Sequence, residues 1–340
     1  MAEGLGEPLP SGPQDGISAL KFDDASYRLV VASWDRTVRV YDASTRTELA
    51  KFQHDSPALS CCFAGAPHKV ASGHVDGSVC LHDVETGQTT HVGSHQAQEG
   101  AQGPPGVRGI VFLRSRDMLV TGGWNGKLKV WDLARGFPQD GTDVALPGKC
   151  FSMATDPRGS KIVVATSGLH VWVFDAGAIE RGAPEQQRAS CMKMQTRCAA
   201  AFPDAQGFAM GSVEGKVSFE YFVEGEGRKR FVFKCHREKH PDGTTTVHPV
   251  NAIAFHPQFG TFATGGCDGA VNIWDGINQK RIFALPKFPT SIAALDFSHD
   301  GSLLAVAASY TYERGPREHP QDTIYIRHVA ATEAQPKPRA

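Results

Sequence analysis

The chain has 340 residues, of which 41% are hydrophobic and 21% charged, with a formal net charge of −1. That is the composition of an ordinary soluble globular protein with ample core, and it excludes indiscriminate binding to nucleic acid or an acidic membrane, which needs a broadly basic surface. No run is long and apolar enough to cross a bilayer as a helix. The first sixteen residues lack the basic start and apolar stretch of a secretory signal, and there is no Asn-X-Ser/Thr sequon. Eight cysteines fall without regular spacing, mostly in apolar runs (Cys61, Cys62, Cys80, Cys150, Cys198), and predict buried, reduced thiols of an intracellular protein.

Taken in chain order, the predicted elements repeat. The segment VASWDRTVRVYD (Val31–Asp42) is followed by ASGHVDGSVCLHD (Ala71–Asp83), TGGWNGKLKVWD (Thr121–Asp132), ATSGLHVWVFD (Ala165–Asp175), MGSVEGKVSFEYF (Met210–Phe222) and TGGCDGAVNIWD (Thr264–Asp275). A degenerate seventh copy runs from Leu303–Tyr312 to Thr323–Val329. The copies end 41 to 54 residues apart, close to the period of a WD-repeat blade with loop insertions. Six are preceded by a short apolar run: ISALKF, LSCCF, GIVF, TRCAAAF, VNAIAF and SIAALDF. Each copy therefore reads strand, turn, strand, tight turn, strand. The period-two alternation in TVRVYD and KLKVWD suits strands with one buried face, and the Asp-Gly, Asn-Gly and Glu-Gly pairs mark hairpins. No long stretch has a 3.6-residue period. The expected fold is all-β, a seven-bladed WD-repeat β-propeller over residues 15–330. It should form one cooperative domain, because a single blade cannot bury its own face. Residues 1–14 and 331–340, rich in Gly, Pro and polar side chains, are expected to be poorly ordered. Whether Glu7–Pro10 supplies a closing strand stays open.

Two features point beyond the fold. The residue before the turn acid varies: Trp34, Val75, Trp124, Val213 and Cys267. The acids themselves (Asp35, Asp76, Asp268, with Asn125 and Glu214 as variants) suit a structural role, bonding turn backbone or a neighbouring histidine such as His54 or His95. Trp34 and Trp124 occupy the same place in different copies, at a turn expected on the top face. They read either as lateral packing or as a pair of aromatic anchors for a partner. Trp131 and Trp274 end their copies and read as buried structure. The second feature is Arg228–Lys239, where six of twelve residues are Lys or Arg. Phe231, Phe233 and Cys235 alternate there with Val232, Lys234 and His236, as in a strand with a cationic outer stretch; a solvated edge is the plain meaning. Arg197, Lys216 and Lys234 fall at equivalent ends of neighbouring strands, a cationic cluster of the kind that a phosphate or a glutamate pair needs.

Long stretches resemble one family. DGISALKF, SWDRTVRVYD, MKMQTRCAAAFP, SVEGKVSFEYF, FVFKCHR, VNAIAFHPQFGTFATGGCDGAVNIWD, FPTSIAALDFSHDGSLLAVAASYTYE and EHPQDTIYIRHV are similar to the Bub-type WD-repeat family of the mitotic spindle checkpoint, over roughly residues 15–329. The resemblance implies a non-enzymatic scaffold without cofactor or metal, nuclear and at kinetochores in mitosis, partly cytoplasmic. It implies a monomeric propeller in a hetero-complex, with no membrane and no direct DNA partner. Its implied partners are a GLEBS motif in a checkpoint kinase or pseudokinase and phosphothreonine in Met-Glu-Leu-Thr repeats of the kinetochore scaffold. By the same resemblance Arg197 meets a GLEBS glutamate, Lys216 and Lys234 hold the phosphate, and Trp34 and Trp124 are the aromatic part of the GLEBS surface. Two departures stand out. Lys216 replaces the family's usual arginine and lacks its bidentate fork. The loop from Ser94 to Gly109 is longer than the family pattern and is expected near Trp124.

The alternative is the nuclear-pore and messenger-RNA export paralogue, which shares the TRC, SVEGKV and FKCHR segments and is expected to bind a nucleoporin GLEBS segment and RNA. An enzyme is the weaker third reading. There is no GxSxG, P-loop, HExxH or dinucleotide fingerprint, and Cys235, His236, His240 and His248 match no zinc spacing.

Overall fold

Alternation of buried and exposed residues along short strands builds this protein. In the computed structural model, which describes residues 4–100, 103–225 and 228–336, the chain is a seven-bladed β-propeller made of four-stranded antiparallel sheets. The described residues divide into two compact units, one within 17–190 and one made of 4–16 with those from 191 to 336.

The first unit holds blades 1 to 4. Blade 1 is Ile17–Phe22, Arg28–Ser33, Thr37–Asp42 and Thr47–Gln53; blade 2 is Ala58–Ala64, Ala66–His74, Ser78–Asp83 and Thr89–Ser94. Blade 3 is Val107–Leu113, Met118–Gly123, Lys127–Asp132 and Thr142–Ala145; blade 4 is Cys150–Thr155, Lys161–Thr166, His170–Asp175 and Gln186–Ala189. Strands pair in sequence order, as short hairpin connections require. Neighbouring side chains point to opposite faces, and Cys61 and Cys62 show the result. Cys61 packs with Val30, Val38 and Phe52 of blade 1, while Cys62 packs with Ile110, Leu119 and Trp131 of blade 3. The Ala58–Ala64 strand is thus buried on both faces, and every fully buried Leu, Val or Phe in such a layer contributes about 1.5–3 kcal/mol.

The second unit holds blades 5 to 7. Blade 5 is Thr196–Ala201, Gly207–Ser212, Lys216–Tyr221 and Phe231–Lys234, and blade 6 is Val250–Phe255, Phe262–Gly266, Val271–Asp275 and Lys280–Ala284. Phe202, Phe219, Phe255 and Phe262 pack in tilted and edge-to-face contacts in the layer between these two. Blade 7 comprises Ile292–Phe297, Leu303–Ala308 and Thr323–His328, and its fourth strand is Glu7–Pro8 from the N-terminus, in register with Tyr325 and Ile326. Residues 4–9 therefore lie against the blade, with Leu5 and Leu9 buried. The end is similar. Ala331–Ala334 forms one helical turn, Glu333 pairs with Arg327, and the Thr261 hydroxyl donates to the Ala334 carbonyl at 2.7 Å. Residues 1–3 and 337–340 lie outside the described residues.

Two expectations change. The outermost strands, such as Thr47–Gln53, are largely exposed and carry no apolar run, so the sequence did not mark them. The basic stretch from Arg228 is not one strand. His236 has φ +46°, and Arg237–Lys239 leaves blade 5 to pair with Thr245–Val247 in a two-stranded ribbon.

Candidate functional site

Arg197, Lys216 and Lys234 come together at one end of blade 5. Lys216 opens the third strand and Lys234 closes the fourth, and the two stand directly opposite each other. Arg197 sits at the bulge near the start of the first strand, between Thr196, opposite Ser212, and Cys198, opposite Gly211. A bulge re-aims a side chain, and Arg197 is exposed. Its Nε donates to Asn251 Oδ1 at 3.3 Å, and Asn251 is itself held by donating Nδ2 to the Ile292 carbonyl at 3.0 Å. That bond fixes the root of the guanidinium. Asn251 is a positioning residue that sequence reading missed, because nothing in VNAIAF distinguishes it from any strand-borne polar side chain.

The Lys216 ammonium lies 2.5 Å from Glu214 Oε2, and Glu214 Oε1 accepts the Lys193 backbone N–H at 3.0 Å. Burial works to raise the Glu214 carboxyl, but the hydrogen bond and charge of Lys216 and the Lys193 and Met194 amides outweigh it and hold it below its ordinary value. Lys234 is exposed, and no acid pairs with it among the described residues. The two lysines thus stand in direct register, where like charges are unfavourable, and Glu214 offsets the charge of Lys216 alone.

Trp34 and Trp124, in the other unit, are not equivalent. Trp34 is 44% exposed at the turn between the second and third strands of blade 1. Its turn is rigid: Asp35 Oδ1 accepts from the Thr37 N–H at 2.9 Å and from the Thr37 hydroxyl at 2.6 Å, and Asp35 Oδ2 meets the buried Arg39 at 3.3 Å. The indole is thus held outward by a fixed turn. Trp124 occupies the same turn of blade 3 but is half-buried, its ring lying against Gly106 and its backbone N–H donating to the Gly106 carbonyl at 2.8 Å. The long loop from Ser94 to Gly109 reaches this turn, as expected. Gln98 donates to the Asn125 carbonyl at 2.7 Å, and Asn125 donates to the Gln96 carbonyl at 2.9 Å. Trp124 Nε1 is buried without a hydrogen-bond partner.

The turn acids divide. Asp268 accepts from His236 at 2.9 Å, and Asn125 Oδ1 pairs with His95 Nδ1 at 3.1 Å. These are links in buried chains. In blade 3 the Trp131 N–H donates to Thr121 Oγ1 at 2.8 Å, so the threonine proton goes to His95 Nε2 at 2.7 Å, and His95 Nδ1–H goes to Asn125. Blade 6 repeats it with Trp274, Thr264, His236 and Asp268. His236 is thereby a structural residue. Asp76 takes the other of the two expected roles and bonds its own turn, accepting from the Ser78 N–H and hydroxyl at 3.0 and 2.7 Å.

The WD domain, G-beta repeat model matches residues 6–42, 95–132 and 239–275. Over 98% of its length the chain is 42% identical to the mitotic checkpoint protein BUB3.1 of Arabidopsis thaliana, covering 96% of that protein. It is 41% identical to the mitotic checkpoint protein bub3 of Dictyostelium discoideum, over 93% of this chain and 92% of the relative. Identity to the poly(A)+ RNA export protein of Schizosaccharomyces pombe is 32%, over 96% and 91% of the two chains. The repeats, the blades and this near full-length similarity place the chain in the Bub3 family of mitotic checkpoint WD-repeat proteins.

Proposed function

We propose that the chain is a non-enzymatic adaptor of the spindle assembly checkpoint, acting in the nucleus and at kinetochores in mitosis and partly present in the cytoplasm. It joins a GLEBS-containing checkpoint kinase or pseudokinase to the phosphorylated kinetochore scaffold. The observation that carries this reading is the register pair Lys216–Lys234 with Arg197 at the same blade end. A phosphothreonine dianion accepts from both ammoniums and removes their repulsion, and each charge-assisted hydrogen bond contributes about 1.5–3 kcal/mol. Arg197, steadied by Asn251, takes a glutamate of the GLEBS motif. Trp34 and Trp124, each on its own turn, offer apolar surface to GLEBS side chains, Trp34 as the open anchor and Trp124 as the one half-covered by Gly106. Lys216 keeps the charge of the family's usual arginine but binds phosphate through one point rather than a fork.

The test is fluorescence anisotropy with a labelled Met-Glu-Leu-phosphothreonine peptide and its unphosphorylated twin, with and without saturating GLEBS peptide. Phosphate-dependent binding that disappears in Lys234→Ala supports the reading. Equal binding of both peptides, with GLEBS binding intact, sinks the phosphate-reader assignment. A steeply salt-dependent affinity for single-stranded RNA would then favour an export-factor role, for which the exposed Arg228, Lys229 and Arg230 offer a basic patch.

A further inference from the structure

Blade 2 breaks the pattern that blades 3 and 6 share. The positions that hold His–Thr–Trp there are His54, Ser72 and His82 here, and strand pairing adds His74 and Cys80 on the same face as Ser72 and His82. The tryptophan is gone, and the serine is claimed differently. Ser72 Oγ lies 2.8 Å from His74 Nε2 and 2.8 Å from His82 Nε2, leaving His54 without its usual partner. His54 Nε2 is buried and has no hydrogen bond, although its ring is 4.3 Å from that of His74 and 5.0 Å from that of His82. One ligating atom from each of His54, His74 and Cys80 lies within 4.8 Å of the others.

We propose that His54, His74 and Cys80 form a site for a divalent transition-metal ion, Zn2+ by ligand chemistry, with water as the fourth ligand. Two imidazoles and a thiolate suit a borderline-soft ion and exclude Mg2+ and Ca2+, which take oxygen ligands. In a tetrahedral zinc site the ligand atoms stand roughly 3.3–3.7 Å apart, as zinc bond lengths imply, so the present spacing closes by at most about 1.5 Å. His54 supplies that movement. It begins the short loop after the Thr47–Gln53 strand and is partly exposed, which also gives the ion a way in. His74 keeps Nδ1 near the Ser56 carbonyl at 3.2 Å, the outer bond that metal-bound histidines usually make, and turns Nε2 from Ser72 to the ion. Binding breaks the Cys80 S–H bond, releases that one proton to solvent and forms the sulfur–metal bond.

The test is a Co2+ titration of the metal-free full-length chain, followed by absorption. One equivalent should produce thiolate-to-cobalt charge transfer together with the visible bands of tetrahedral cobalt, both abolished by added Zn2+. Affinity should fall about ten-fold or more in Cys80→Ser, with loss of the charge-transfer band, and by a similar factor in His54→Gln. His54→Gln removes no nitrogen bond at Nε2 from the metal-free fold, so circular dichroism should match the parent and keep the test valid if Cys80→Ser folds poorly. Absence of a thiolate band at one equivalent, or a band unchanged in both variants, overturns the site.

Discussion

Lys216 and Lys234 face each other across two hydrogen-bonded strands, and only Lys216 has an acid, Glu214, in contact among the described residues. Like charges in direct register cost roughly 0.2–1 kcal/mol. Lys234→Gln should therefore leave stability unchanged or raise it by up to about 0.5 kcal/mol in urea melts, within that same range. Phosphopeptide affinity should fall ten-fold or more in the same variant. A loss of both together would mean that Lys234 is structural.

Thr121 takes the Trp131 indole N–H and gives its own proton to His95. Thr121→Val keeps the shape and removes both bonds, stranding two buried polar groups. Each such loss costs about 1–3 kcal/mol. The variant should unfold at clearly lower denaturant with an unchanged m-value, while Thr121→Ser, which keeps the hydroxyl, should recover most of the loss. Equal midpoints for Val and Ser would show that the hydroxyl is not the source.

Asp268 predicts an acid-sensitive blade. Burial pushes its carboxyl up, but the hydrogen bonds from His236 and from the Ala270 backbone N–H outweigh that and hold it below its ordinary value near 3.8. A depressed carboxyl stabilises the fold above its unfolded pKa, and that contribution is lost as pH falls through the folded value. Asp268→Asn should thus be less stable than the parent at neutral pH, and the gap should shrink below about pH 4, the ordinary carboxylate range. A constant gap from pH 7 to 3 would contradict the assignment. In blade 3 the same position is Asn125, which does not titrate.

A methyl group on Gly106 would meet the Trp124 ring at 2.5 Å and Leu59 at 3.0 Å. Gly106→Ala should displace the indole and cost about 1–3 kcal/mol. Combined with Trp124→Ala, the clash with the ring disappears and only the Leu59 contact remains, so the double variant should be more stable than the sum of the singles predicts. Strict additivity in thermal melts would mean that the ring does not rest on Gly106.

Much of this protein was determined by its sequence alone. Alternation within TVRVYD, KLKVWD and VNAIAF specifies strands, and Asp-Gly and Asn-Gly pairs specify the hairpins, because both signals act over a few residues. The shared end of Arg197, Lys216 and Lys234 follows from counting along those hairpins. Tertiary structure decided what depends on residues far apart in the chain. Glu7–Pro8 becomes a strand only because the last blade offers Thr323–His328 an open edge. Asn251 meets Arg197 across two blades, and Trp34 and Trp124, alike in position, differ because Gly106 comes to only one of them. His54, His74 and Cys80 read as unrelated residues until two blades pack face to face. Local periodicity carries the backbone's hydrogen bonding, whereas the environment of a side chain is set by whichever distant segment fills the space beside it.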